Sequence, residues 1–285
     1  MKDNTNKIQT IKIADIDDFE NHPFRVSDDE DMQSLIDSIK ENGILTPVLV
    51  RQKDNGRYEM ISGHRRKYAC EKLGIENITA EVTELSRNEA ILYMVDSNIQ
   101  RSKILPSEKA FAYKMKLDAM KAQGKRTDLT SAPNETKLNS GNILADNYGE
   151  SRAKIYRFIR LTYLHPTLLE LVDEKTIKLK TANELSYLDM DSQQIIVDLY
   201  NEGYDLPSYS GACALRKYAD DGELDLDIIE EIITTVPEKE KYYVFSNALA
   251  EYFPEYLTHK EQEEFLLQAL ISYRAYIKLR RDYDR

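Results

Sequence analysis

The chain has 285 residues, with 39 Lys and Arg against 50 Asp and Glu, a formal net charge of −11 at pH 7 that excludes nonspecific coating of nucleic acid but leaves room for a local basic face. Its two cysteines, Cys70 and Cys213, lie far apart and lack Cys-x-x-Cys or Cys/His spacing, which argues against a disulfide framework and a structural zinc site. No apolar run approaches the ~20 residues needed to cross a bilayer, and the polar start Met1–Thr10 has no signal core, so a cytoplasmic protein off the membrane is expected.

Thr10–Ile13 alternates like a half-buried strand and leads into a loop, Asn21-His22-Pro23-Phe24-Arg25. Met32, Leu35, Ile36 and Ile39 recur at helical spacing and predict an amphipathic helix stopped by Asn42-Gly43. Thr46–Arg51 reads as a strand, Asn55-Gly56 as a hairpin turn, and Tyr58–Ile61 as the returning strand.

Ser62-Gly63 then marks a strand-to-helix turn, with the helix over Lys67–Leu73 ended by Gly74 and a last strand at Ile78–Val82. Such a turn leaves backbone N–H groups free at the positive end of the helix dipole, and Gly63 permits close approach of a ligand to the main chain. Arg65 and Arg66 are badly placed against that dipole unless an anion reverses the balance. On this stretch alone, a phosphate site and a capped helix with two solvated arginines both stand.

Asn88–Asn98 predicts a helix that delivers Asn98 and Arg101 at its end, and Pro106 opens a long helix over Ser107–Gln123. Residues 124–140, rich in Thr, Ser, Asn and Gly, read as a polar loop. A helix over Gly141–Asn147, a turn with Gly149 and a second helix capped by Ser151 follow. Ile155, Phe158 and Ile159 would face the core, freeing Arg152, Lys154, Arg157 and Arg160 to point outward, where the second helix of a helix-turn-helix meets base edges. The alternative is a solvated basic face on a helical hairpin.

Two short helical stretches, His165–Asp173 and Thr181–Leu185, follow. Asp227–Thr235 and Gln262–Arg280 read as amphipathic helices, the second with a stripe of Leu266, Leu270, Tyr273 and Ile277. That stripe suits a partner helix or a domain core, and the terminal Arg274, Lys278, Arg280, Arg281 and Arg285 suit DNA or the acidic 220–231 segment of a second subunit. His22, His64, His165 and His259 show no metal-ligand spacing; His64 alone is placed to touch a ligand.

Gly63-His64-Arg65-Arg66, followed by Asp96-Ser97-Asn98-Ile99-Gln100-Arg101 and Leu105-Pro106-Ser107-Glu108, resembles the ParB family of chromosome and plasmid partition proteins. That family carries a Gly-Glu-Arg-Arg box, then a Glu-Asn-hydrophobic-Gln-Arg box leading into Leu-x-Pro-x-Glu. The resemblance spans about residues 9–190. It implies an α+β chain: a small mixed-sheet ParB/sulfiredoxin-like N-terminal domain over 1–95, an all-α helix-turn-helix domain over 96–190, and a helical C-terminal domain over 191–285 with a possible dimerisation role.

The resemblance also implies CTP and Mg2+ as switch ligands, bound by Arg25, Ser62, Gly63, His64, Arg65, Arg66, Asn98 and Arg101, with Asn98 serving the metal. Double-stranded DNA carrying a centromere-like site would be bound by Ser151, Arg152, Lys154, Arg157 and Arg160. A homodimer closing as a clamp, a ParA-type ATPase partner and a place on the nucleoid are further expectations. His64 stands where the family has glutamate, and Ser97 replaces the glutamate that the family ties to hydrolysis, so binding with slow turnover is expected unless Asp96 substitutes. A helix-turn-helix regulator of a mobile element without nucleotide is the alternative. A nuclease is disfavoured by the lack of paired carboxylates near the boxes. Sulfiredoxin-type thiol chemistry is disfavoured because Cys70 lies inside the helix, not at the turn.

Overall fold

The computed structural model describes residues 7–101, 104–127 and 135–234, with isolated positions between 265 and 273. Residues 1–234 and 235–285 separate as two compact units. The stripe and the terminal basic cluster expected in the last segment lie, apart from Tyr273, outside the described residues.

Five strands form one mixed sheet in the order β1-β5-β3-β4-β2. They are β1 (Lys7–Lys12), β2 (Ile16–Asp17), β3 (Val48–Gln52), β4 (Tyr58–Ser62) and β5 (Asn77–Thr83). β1 runs antiparallel to β5 and β3 antiparallel to β4, whereas β5 pairs parallel with β3 and β2 parallel with β4. The parallel pairs need crossovers, and the helices α1 (Glu30–Asn42) and α2 (His64–Lys72) supply them.

Alternation along the strands divides two cores. Val48, Val50 and Met60 point to one face with Met32, Ile39, Ala69 and Cys70 of α1 and α2. Leu49 and Ile61 point to the other, against Ala90, Ile91, Met94 and Val95 of α3 (Arg87–Asn98). Cys70 is fully buried, and burial pushes its thiol pKa up, as befits a small apolar core residue.

The second core does not stop at α3. It continues through Ala110, Tyr113 and Leu117 of α4 (Pro106–Thr127) into α5 (Glu135–Tyr148), α6 (Arg152–Arg160), α7 (Pro166–Asp173), α8 (Leu179–Leu185), α9 (Met190–Asn201), α10 (Tyr209–Asp221) and α11 (Leu226–Thr234). α4 is the spine of this layer and packs on α3, α5, α6 and α7. The polar loop expected over 124–140 is shorter than its composition suggested: α4 runs on to Thr127 and α5 starts at Glu135. A helix already nucleated carries a single glycine at a cost of about 1 kcal/mol, so Gly124 does not stop it.

Gly63, directly after β4, is the most crowded of the described glycines. It caps α2 at φ 108°, and a Cβ there would sit 2.6 Å from Val48 Cγ1. The space on the Cβ side of Gly63 is therefore filled by β3. Gly63→Ala adds a left-handed strain to that overlap and should destabilise the chain by roughly 2–4 kcal/mol, measured as a lowered urea midpoint. Loss of less than 0.5 kcal/mol would show that β3 yields freely at this point.

Candidate functional site

One cavity of about 340 Å³ lies at the start of α2 and is lined by Arg25, Ser62, Gly63, His64, Arg65, Arg66, Asn98 and Arg101, together with His22, Phe24, Val26, Asp31 and Leu35. The two boxes and the Arg25 loop, separated in sequence, thus meet on one wall-to-wall surface. A neighbouring cavity shares Arg25, Asp31, Arg65 and Arg101 and reaches Glu108 at the start of α4.

The cations are held in different ways. Arg65 makes a long contact of 3.4 Å to Asp29, the N-cap of α1, and its Nε is buried without a partner. Arg101 has its pKa lowered by burial and then by the charge of Arg65, as expected when two guanidinium groups face one space. Arg66 departs from the expectation of a solvated or purely phosphate-facing group. Its Nη1 donates to the carbonyls of Thr46 and of Pro47 (2.7 Å), so it also fastens α2 to the approach of β3.

Arg25 is positioned from its backbone. Its N–H donates to Glu108 Oε1 at 2.7 Å, while Glu108 Oε2 accepts from the Leu105 N–H at 2.9 Å and caps α4. The Arg25 guanidinium stands 3.8 Å from Asp173, a nearly buried carboxylate that also takes the N–H and hydroxyl of Ser107. Glu108 was legible only as part of a motif; nothing in its spacing announced that it would hold the loop carrying Arg25.

Asn98 is buried at 5% exposure and donates through its amide nitrogen to the Met94 carbonyl at 2.8 Å. What it can offer the cavity is therefore its carbonyl oxygen, a suitable if solitary ligand for a hard cation whose other ligands come from phosphate and water. Among the described residues there is no group of three or more His, Cys, Asp or Glu that could hold a metal by itself. Ser97 Oγ donates to the Met94 carbonyl at 3.0 Å. Asp96 does not line the cavity: it accepts from Lys116 Nζ and, at 2.6 Å, from Tyr148 Oη, so the substitute carboxylate considered from the sequence is engaged elsewhere.

His22 is the residue that sequence reasoning passed over. Its ring lies on that of His64 with centroids 3.8 Å apart, and the Nε2 atoms of both are buried without a hydrogen-bond partner. Burial holds His64 down to about 3, helped by His22, Lys67 and Arg101, and lowers His22 as well; Asp18 pulls both the other way. The only sequence signal was a histidine beside Arg25 in the loop.

The second expected site behaves less uniformly. Ser151 caps α6 by accepting from the Lys154 N–H at 3.2 Å, and Ile155 and Phe158 are buried while Arg152, Lys154 and Arg157 are exposed. Lys154 pairs with Glu150 at 3.0 Å and Arg152 lies over the ring of Tyr156. Arg160 is a correction: its guanidinium donates to the Ser186 carbonyl at 2.6 Å and stacks on Tyr187 and Tyr163, tying α6 to the end of α8. Three residues on from Arg157 it lies about 60° around the helix, on the half-buried side of α6.

Residues 1–99 match the family model of the ParB N-terminal domain. The nucleoid occlusion protein of Geobacillus thermodenitrificans (strain NG80-2) is 28% identical over 194 residues, 68% of this chain and 63% of that protein. Stage 0 sporulation protein J of Bacillus subtilis (strain 168) is 32% identical over 174 residues, 60% of this chain and 55% of that protein. The matches thus span less than two thirds of these relatives. Among solved structures, a C-terminally truncated ParB from Caulobacter crescentus complexed with CTP-gamma-S is 21% identical with a TM-score of 0.31, covering 68% of this chain and 99% of that one. A pNOB8-like ParB N-domain has a TM-score of 0.44 at 18% identity, covering 82% of this chain and all of that one.

The family-model match covers the mixed sheet and the strand-to-helix turn that carries Gly63, Arg65 and Arg66. Over residues 1–99 the chain is similar to the ParB N-terminal domain.

An unfolded chain protonates both histidines near the ordinary value of ~6.5, whereas the folded cavity keeps them neutral, so their contribution to stability is complete above that pH and is lost as pH falls toward 3. Between pH 6.5 and 5, where most carboxylates stay ionised, the thermal midpoint of the ligand-free chain should decline. His22→Phe with His64→Phe should flatten that decline. An equally steep wild-type and variant profile would locate the titration elsewhere.

Proposed function

We propose that the chain is a site-specific DNA-binding protein of the partition or nucleoid-occlusion kind that takes CTP with Mg2+ as a switch ligand. The observation that carries the reading is the convergence of Arg25, Arg65, Arg66 and Arg101, the N-terminus of α2 and Asn98 on one cavity. Like charges gathered at a helix N-terminus are unfavourable alone and become favourable around a polyphosphate. In support, the C-terminally truncated ParB from Caulobacter crescentus was crystallised both with CTP-gamma-S and with the centromeric parS site. Asn98 would give Mg2+ its one protein oxygen while the phosphates provide the rest.

Turnover would be slow on this reading. Ser97 is no general base near neutral pH, and Asp96 is engaged by Lys116 and Tyr148. The chain would act as a homodimer, with a role for residues 235–285 in pairing, and with a ParA-type ATPase as partner in the partition version of the reading.

Calorimetry with the full chain should show CTP binding that requires Mg2+, and Arg65→Ala should weaken it by about tenfold or more, since one charge-assisted contact to phosphate is worth roughly 1.5–3 kcal/mol. No CTP binding with or without DNA would favour a regulator that has lost the nucleotide.

DNA would be met by the exposed face of α6, through Arg152, Lys154 and Arg157. In a gel-shift series Arg152→Glu with Arg157→Glu should abolish selection of the cognate site and reduce the salt dependence of binding, as expected for lost phosphate and base contacts. Unchanged affinity would leave α6 a solvated helix face.

A further inference from the structure

The three unpartnered buried atoms of the cavity are not equivalent. Arg65 Nε carries a hydrogen and can only donate, which suits a phosphoryl oxygen. His22 is different. Its Nδ1 lies 2.7 Å from the Phe24 carbonyl oxygen, which can only accept, so Nδ1 carries the proton. In a neutral imidazole the opposite nitrogen is then a bare lone pair, and the Nε2 of His22, in the lining of the cavity, is an acceptor that meets no donor from the protein.

The loop fixes this arrangement. Asn21 adopts a left-handed φ of 59°, and the His22 N–H donates to the Phe19 carbonyl at 3.1 Å, while Phe19 and Phe24 on either side are buried in the core. The ring of His64 then closes over that of His22. The imidazole has little freedom to turn its lone pair toward solvent.

A buried acceptor without a donor costs free energy, and a ligand that supplies the donor removes that cost. The donor's chemistry is narrowed by its surroundings. Arg65 and Arg101 exclude a cationic ammonium from the same space, so the group must be a neutral O–H or N–H. The same arginines call for an anion on the molecule that carries it. A nucleotide has both: phosphates at one end, and sugar hydroxyls and a base amino group at the other.

We propose that His22 is a specificity-determining residue of the cavity, accepting through Nε2 a hydrogen bond from a neutral O–H or N–H on the nucleoside end of the ligand, and so separating nucleotides from bare polyphosphate. The proposal rests on the reading of the cavity as a nucleotide site and adds to it the group that reads the nucleoside. Burial, which keeps His22 neutral, supports the acceptor state.

The test is calorimetry on the full chain with Mg2+, titrating CTP and inorganic triphosphate into the wild type, His22→Phe and His22→Asn. Phenylalanine retains the ring stacked on His64; asparagine retains a donor for the Phe24 carbonyl; neither retains Nε2. The wild type should bind CTP on the order of tenfold tighter than triphosphate, and both variants should lose that margin while binding triphosphate within about twofold of wild type. UTP, 2′-deoxy-CTP and 3′-deoxy-CTP identify the donor: at least one should be weaker than CTP in the wild type and equal to it in the variants. Variants that weaken CTP and triphosphate alike, variants that leave CTP unchanged, a wild type without preference for CTP, or no loss with any of the three analogues would each overturn the assignment. A wild type that binds neither CTP nor triphosphate would instead remove the nucleotide reading itself, and this assignment with it.

Discussion

Guanidinium groups that share a cavity repel one another, and much of this fold serves to keep Arg25, Arg65 and Arg101 there beside Arg66. Arg65 is carried on a helix whose N-terminus is itself positive, Arg101 follows the end of α3, and Arg25 sits on a loop hooked to α4 by Glu108. Acids stand nearby without cancelling the charge: Asp29 reaches Arg65 at 3.4 Å, and Asp173 reaches Arg25 at 3.8 Å. These are long, weak pairings of the kind that yield to a better partner. The contrast with Glu59 is instructive, since that buried carboxylate is gripped by Arg51 at 2.6 Å and faces Arg87 as well. One set of ion pairs closes the fold, and the other leaves it open to an anion.

The two histidines fit the same constraint from the opposite side. Stacked neutral imidazoles add no charge to a crowded cationic cavity, whose lining also includes Phe24 and Leu35. In the family box a glutamate stands where this chain has His64, so the local field of this cavity is more positive than the family pattern would make it.

Much of the architecture was legible because sequence pattern survives in four of the five strands, the two-residue β2 being too short to show one: Val48, Val50 and Met60 on one face and Leu49 and Ile61 on the other follow from a period of two. The cavity was legible too, since backbone turn, arginine pair and second box are local signals. What the sequence hid were long-range pairings. Arg160 and Arg157 lie three residues apart on one helix with the same chemistry, and only the packing of Ser186 and Tyr187 against the first distinguishes them. Arg66 and Arg65 are adjacent, yet one is tied to the Thr46 and Pro47 carbonyls. His22 became visible only once the loop had folded over His64. In each case the deciding partner lies about 20 residues or more away in the chain, beyond the reach of periodicity.

The cluster of Asp96, Lys116 and Tyr148 bears on where this protein can be divided. Lys116 is buried at 3% exposure, with its charge balanced by Asp96 from α3 and its ammonium lying over the ring of Tyr148 at the end of α5. A cut after residue 99, where the matched domain ends, would separate the acid from the base. The remainder would keep an ammonium in an apolar setting with only a phenol beside it, and the detached piece would expose Ile91, Met94 and Val95. Homology marks a boundary there, but the packing does not: the anion cavity and the helical layer share one continuous interior, and they inherit each other's stability.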